Sequence, residues 1–344
     1  MMRVPVHRRQ CILALVIMIQ VLQPRNVKAD GRYAAATLDL GVGARSLALG
    51  GAVAALYGHE SFRYNPAGLA FAQRPELAMM YAPTFGSIAT PMANFYYLGG
   101  SMPMPAGGAV SVHWTRFNVD DIPVYPKLRG NAFIDRLSDP SLRPDGQPQG
   151  AIRDVENAIY LSFARPVKMT LPLGWLYTDL PVEMPVGLNV KVLRQSLGPS
   201  SASGLGIDFG VMVKFSLGRL LDIRKIGEVC LGFSALDFAR TTLVWNDQKE
   251  ERVARTTMAG VSYRQALGFH DSHLTLVWTF HDKYEKSHLL GMEFELGRCA
   301  LRCGYNPAGF STGAGLNWRR FRVDYAFTAV DFEYVHRIGC AFIF

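Results

Sequence analysis

The chain has 344 residues, 49% of them hydrophobic and 19% charged, and is rich in Gly (33), Phe (20) and Tyr (14). That is too apolar for a disordered chain, and no run of about 18 apolar residues occurs to make a polytopic helical membrane protein. Of the formal charge of +8, Arg3, Arg8, Arg9, Arg25 and Lys28 precede any acidic residue, and without them 31 basic residues face 28 acidic ones, so no nucleic-acid partner is indicated.

Residues 1–29 read as a secretory signal peptide. Arg3, His7, Arg8 and Arg9 form a basic start, 11–22 (CILALVIMIQVL) a short apolar run, and Val27-Lys28-Ala29 a small-residue cleavage site. The mature chain is thus expected to be exported and to start at Asp30. Its four cysteines, Cys230, Cys299, Cys303 and Cys340, are too sparse for a disulfide scaffold. C-x3-C without a second ligand pair gives no metal site. All four read as small apolar fillers.

Residues 41–72 (GVGARSLALGGAVAALYGHESFRYNPAGLAFA) do not alternate. Asn65 followed by Pro66 suits a helix cap and a first helical position, which predicts one or two helical turns over 66–72. The small residues suit a plug threaded inside a narrow barrel, or an N-terminal arm packed on a surface.

From residue 76 onward, period-two alternation predicts fourteen strands: 76–82, 92–101, 108–117, 155–165, 184–194, 204–216, 227–235, 254–264, 272–281, 287–296, 299–305, 311–319, 320–328 and 335–344. Phe321, Val323, Tyr325 and Phe327 share one face of a strand, and Arg320, Arg322 and Asp324 the other. Gly297-Arg298 reads as a two-residue hairpin turn. That register sets Glu293 opposite Arg302, Met292 opposite Cys303 and Phe294 opposite Leu301.

Two architectures accommodate this pattern. A soluble sandwich buries the apolar face, whereas a transmembrane barrel turns it to lipid and the charged face to a lumen. Three features favour the barrel: an even strand count without a domain break, export, and an apolar alternating end (Ile338, Cys340, Phe342, Phe344). Phe342 and Phe344 are then the signal read by a barrel-assembly machinery. Residues 118–154, 166–183 and 236–253 read as long loops at one end. Within the second, Leu171, Leu173, Trp175, Leu176 and Tyr177 form a candidate outer docking patch.

The segments Gly43–Ala54 (GARSLALGGAVA) and Tyr64–Ala70 (YNPAGLA), with Gly291–Phe294, Leu301–Tyr305 and Val323–Phe327 at the far end, resemble outer-membrane proteins related to the fatty-acid transporter FadL and to the secretion-associated PorV. The resemblance covers both ends of the mature chain; 118–253 matches only in general pattern. It implies an all-β, fourteen-stranded antiparallel transmembrane barrel over 76–344 with an N-terminal hatch over 30–75 in its lumen. Asn65, Pro66, Ala67 and Gly68 fall on the family's hatch motif, while His59-Glu60-Ser61-Phe62 departs from the usual pattern. Arg45 facing Glu293, Arg302 or Asp324 is the candidate contact between hatch and wall.

The implied function is passive, hatch-gated uptake of hydrophobic small molecules such as long-chain fatty acids across the cell outer membrane, in contact with outer-membrane lipid. The alternative is a docking barrel for a secreted protein partner. No cofactor, metal or catalytic residue is expected: H-E-x-x-H, P-loop and dinucleotide fingerprints are missing from the sequence, and its histidines lack metal-ligand spacing.

Overall fold

The computed structural model describes residues 34–86, 88–129, 133–142, 146–174, 178–223, 225–330 and 333–344. The expected leader over 1–29 lies outside them. Among the described residues, no helix is long and apolar enough to cross a membrane.

The strands are β1 (Glu76–Gly86), β2 (Pro91–Pro103), β3 (Ala109–Val124), β4 (Gly150–Leu173), β5 (Thr178–Leu197), β6 (Ser200–Ser216), β7 (Glu228–Leu236), β8 (Thr242–Trp245), β9 (Glu250–Arg252), β10 (Thr256–Ala266), β11 (Ser272–Asp282), β12 (Lys286–Leu296), β13 (Cys299–Asn306), β14 (Gly309–Trp318), β15 (Phe321–Val330) and β16 (Glu333–Ile343). All but β8 and β9 pair antiparallel with their neighbours in chain order. The sheet closes where β16 meets β1, with Leu77 opposite Phe342, and β5 continues into β6. The result is an all-β antiparallel barrel of fourteen strands, one for each alternating segment of the sequence. In the β12–β13 hairpin Met292, Glu293 and Phe294 face Cys303, Arg302 and Leu301, as the two-residue turn requires.

Closure excludes the sandwich. The apolar rows do not press on a second sheet but look outward: Leu161, Leu205 and Leu301 are 60%, 61% and 62% exposed. The intervening positions look inward and are buried, polar ones included, such as Glu293, Arg302 and Asp324. All four described cysteines are free thiols, but only Cys230 is buried; Cys299 is exposed on the outward face of β13. The filler reading fails there, because outward positions of a closed barrel have no core to fill.

Strand parity also revises the loops. Residue 344 and the turns at 104–108, 217–227, 267–271, 297–298 and 319–320 share one end of the barrel, the turn end. The links at 125–149 and 237–255 lie at the opposite, loop end. The expected loop over 118–154 is shorter, because β3 and β4 extend into it, and it carries a helix at Phe133–Ser138. The expected loop over 236–253 folds into β8 and β9, with β8 paired to β6. The expected loop over 166–183 is a β4–β5 ribbon paired as far as Leu173 opposite Thr178. It stands at the turn end, so Leu171 and Leu173 are not at the same end as the long loops; Trp175, Leu176 and Tyr177 lie outside the described residues.

The lumen is filled by residues 34–72. Short helices at Ala44–Ala48 and Ser61–Tyr64 and 3-10 turns at Ala36–Leu40 and Pro66–Phe71 pack on the inward face of the wall. The fit is backbone to backbone. A Cβ on Gly232 of β7 would stand 1.9 Å from the Ala54 carbonyl oxygen, and one on Gly210 of β6 would stand 2.1 Å from Asn65 Oδ1. A Gly232→Val chain therefore cannot seat this segment as it stands. Trypsin is expected to cut the variant at Arg63, which is buried in the wild type, about tenfold faster or more, read by mass spectrometry of the detergent-solubilised barrel.

Candidate functional site

The alternation that builds the wall also puts its charges inside, where a charge needs a partner. Many of those partners come from the N-terminal segment, and they hold it along three sides.

The first anchor is a chain of ion pairs. Arg45, in the Ala44–Ala48 turn, donates from Nε and Nη2 to the two carboxylate oxygens of Glu293, both at 2.8 Å, and from Nη1 to the Tyr57 carbonyl at 3.1 Å. Glu293 also accepts from Arg302 Nε at 2.6 Å, and Arg302 Nη1 donates to Asp324 at 2.6 Å. Two arginines and two carboxylates thus neutralise one another across β12, β13 and β15. The bidentate Arg45–Glu293 geometry is the strongest form of such a contact.

The second anchor is built on β2 to β6. Phe62 stacks on His113 with ring centres 3.7 Å apart and meets Tyr160 edge-on at 5.0 Å. His113 is fixed by Tyr97 Oη at 3.1 Å and Ser111 Oγ at 2.8 Å. Asn189 donates to the Phe62 carbonyl at 2.6 Å and to Asp208 at 3.2 Å. Beside it the fully buried Lys191 pairs with Asp208 at 2.7 Å and with Asp237 at 2.8 Å. Asp237 belongs to the turn after β7, so the same lysine ties that turn to the wall.

The third anchor lies at the loop end, where Lys283, in the turn between β11 and β12, donates to Asp39 at 2.6 and 2.8 Å. Between the anchors, backbone carbonyls accept from the wall: Tyr64 from Ser234 at 2.7 Å and Ala55 from Ser262 at 2.9 Å. Within the segment, Tyr64 Oη bridges the N–H and carbonyl of Val42, both at 3.0 Å. Burial pushes its hydroxyl up to about 12, so it stays a neutral donor.

Asn65 is completely buried. Its Oδ1 accepts from the Ala67 N–H at 3.2 Å, and its Nδ2 donates to the carbonyls of Ala54 at 2.7 Å and Val211 of β6 at 3.2 Å. Pro66 opens the 3-10 turn behind this cap, and Gly68 donates to the Asn65 carbonyl at 3.0 Å. One side chain thus sets the turn and fixes it to both segment and wall.

The structure places Asn65 and Pro66 against Gly210 of β6, Pro66 and Ala67 against Gly187 of β5, and Gly68 against Ser61 and Leu56 of the segment itself, and it joins Arg45 to Glu293 and, through it, to Arg302 and Asp324. Phe342 packs its ring against Phe321 and Phe344 on the outward face, apart from the lumen. Sequence reading missed Phe62, His113, Lys191, Asp208 and Asp237. A polar residue between apolar neighbours was the available signal, as with Asn189 and Lys191 alternating with Leu188, Val190 and Val192. Even the His59–Phe62 departure proves to be a contact region: His59 Nδ1 lies 2.9 Å from Glu76 and the Ser46 N–H donates to Glu60 at 3.0 Å.

The space left in the lumen differs at its two ends. Toward the loop end a small pocket is lined mainly by Ala35, Leu38, Phe95, Phe117 and Leu193, with Glu156 and Gln195 at its polar side. Toward the turn end a second small pocket is lined by Arg45, Tyr57, Lys214, Glu228 and Arg264 among others. The filled segment separates them.

No family model and no curated protein matches the chain. Among solved structures it is similar to the Pseudomonas putida toluene transporter TodX, with 10% identity, 88% of this chain and 96% of that chain covered and a TM-score of 0.43. It is also similar to the Acinetobacter baumannii outer membrane protein Omp33, with 7% identity, 79% and 98% covered and a TM-score of 0.41. A further similarity is to the KdgM porin, with 7% identity, 78% and 99% covered and a TM-score of 0.36.

Removing one member of a buried ion pair strands the other. Glu293→Ala leaves Arg45 without its carboxylate and Arg302 with Asp324 alone, and is expected to cost about 3 kcal/mol or more. Glu295→Ala, whose pair with Arg264 is partly exposed, is expected to cost under about 1 kcal/mol. Urea titration of the folded barrel followed by tryptophan fluorescence separates the two.

Proposed function

We propose that this chain is an outer-membrane barrel that passes small hydrophobic molecules through its lumen, with residues 34–72 as the hatch. The observation that carries the membrane part is the outward face. From β12 through β16 to β1 and β2, the outward positions from His288 to Leu296, Cys299 to Tyr305, Phe310 to Trp318, Phe321 to Ala329, Tyr334 to Phe342, Leu77 to Phe85 and Met92 to Met102 hold no Asp, Glu, Lys or Arg. Water offers no reason to clear charges from so broad a surface; lipid does. Tyr305, Phe310 and Phe327 lie toward the loop end of this face and Trp318, Phe321 and Phe342 toward the turn end, as aromatic girdles do. Phe310 to Trp318 spans roughly 27 Å of strand. A tilt of 35–45° turns that into roughly 20 Å of height, near the thickness such a band needs.

The lumen supports the transport part. The mainly apolar lining between the segment and β2–β5 gives a hydrophobic solute its first contact inside. Outside it, the 125–142 link exposes Tyr125, Leu128, Ile134 and Leu137 and replaces the 171–177 patch as the capture surface at the loop end. Passage then requires segment 34–72 to shift. A solute that binds better to the shifted arrangement than to the seated one biases that equilibrium, against the Arg45–Glu293 pair that favours the seated one. A leader over 1–29 and barrel assembly through Phe342 and Phe344 belong to the same reading.

The β4–β5 ribbon favours a second reading. Residues 165–173 run past the last β3 partner, Ala164, and expose Val167, Met169 and Leu171 at the turn end, a surface suited to a protein partner.

Two measurements test the first reading. Leu301→Arg is expected to lower stability in lipid vesicles by about 2–4 kcal/mol; no loss would remove the bilayer from the account. Cells expressing the wild type should take up a labelled long-chain fatty acid several-fold above vector, and Arg45→Ala with Asn65→Ala should change that rate. Uptake at the vector level, with a protein that co-purifies stoichiometrically and is lost on Val167→Asp with Leu171→Asp, would replace transport by docking.

A further inference from the structure

On the outward face of β3 to β5, two arginines share a single row at the edge of the apolar band. Three successive rows across β3, β4 and β5 are apolar: Val110–Phe163–Leu188, Val112–Leu161–Val190 and Trp114–Ile159–Val192. The next row toward the loop end reads Arg116, Asn157, Arg194, flanked by Tyr96 on β2 and Ser203 on β6. On β4 the opposite limit of the apolar stretch is Arg165, so Asn157 and Arg165 bracket Ile159, Leu161 and Phe163. The arginine row therefore sits at the edge of the apolar band, on the side of the long loops.

Neither Arg116 nor Arg194 has a carboxylate partner among the described residues. The nearest outward acid, Asp120 in the bulge of β3, is already engaged by Arg153 and by Asn118 Nδ2. The Asn157 Oδ1 accepts from Trp114 Nε1 at 3.1 Å, which leaves its NH2 directed elsewhere as a donor. Two guanidinium groups on strands two apart, with backbones roughly 10 Å from each other, an amide between them, and hydroxyls of Tyr96 and Ser203 at the sides make a set of donors and no acceptor charge. The indole of Trp114 lies one row deeper, where an acyl chain would run.

We propose that this row is a binding site for the phosphate-bearing headgroup of an anionic membrane lipid, with Arg116 and Arg194 on the phosphate, Asn157 as a neutral donor and Trp114 against the chain. Arginine suits phosphate because its planar donors match the oxygens in pairs. The proposal rests on the barrel's lying in a bilayer but not on what passes through its lumen.

The test uses the full-length protein in vesicles of phosphatidylcholine with a minor fraction of phosphatidylglycerol, followed by extraction and native mass spectrometry of retained lipid. The wild type is expected to retain phosphatidylglycerol in preference to phosphatidylcholine. Arg116→Gln with Arg194→Gln should lower that retention about tenfold or more, from roughly fivefold per basic residue. The exposed Arg194→Gln alone should give an intermediate loss, and Lys286→Gln, across the barrel on the outward face of β12, no loss. Equal retention by wild type and double variant, or no preference of the wild type for the anionic lipid, overturns the site while leaving the barrel reading intact. Displacement of the lipid by inorganic phosphate at matched concentration overturns the lipid as occupant in favour of the free anion. A chain that does not enter vesicles overturns both readings.

Discussion

A closed antiparallel sheet gives each strand one face inside and one outside, and a charge on the inside face has little water to meet. The rest of the structure follows from that constraint. Glu293, Arg302 and Asp324 fall inward by the pleat alone, and together they would leave a net negative site. Arg45 completes the set by entering from the N-terminal segment. Lys191 is held by two carboxylates, one from the wall and one from the turn after β7. Part of the wall's interior, Glu293 above all, is thus fully satisfied when residues 34–72 are seated, and the segment, which is too short and too glycine-rich to fold alone, is completed by the wall.

This mutual dependence gives the segment its functional character. Its attachments combine apolar packing, in which Leu38, Val42, Phe62 and Leu69 share one buried cluster with Phe95, Tyr97 and Tyr160, with discrete polar contacts on different strands: β12 for Arg45, β5 for the Phe62 carbonyl, the β11–β12 turn for Asp39. The apolar pocket lies above the segment and a charged one below it, so a hydrophobic solute finds its favourable site on one side and polar surroundings on the other. On the transport function proposed above, the segment between these unlike compartments is the gate.

The outward face obeys the same pleat with a different solvent. Over most of the circumference the middle of this face carries no charge, and between β3 and β5 Arg116 and Arg194 share one row at the border of the apolar band. Register makes that row. Arg116, Asn157 and Arg194 are far apart in sequence and neighbours only because β3, β4 and β5 pair as they do.

Alternation fixed much of this before any tertiary contact was considered. Fourteen period-two segments, the turn at Gly297-Arg298 and the Glu293–Arg302 pairing could all be read from residue order, because strand geometry is local and its period is two. So could the Asn65–Pro66 cap, which depends on a few adjacent residues. Closure, the placing of the 166–183 segment at the turn end as a ribbon rather than a loop, the inward stack of Phe62 on His113, the sharing of Lys191 between Asp208 and Asp237, and the arginine row were decided only in the folded barrel. Each joins residues whose separation along the chain carries no periodic signal, and only the order and register of the strands brings them within reach.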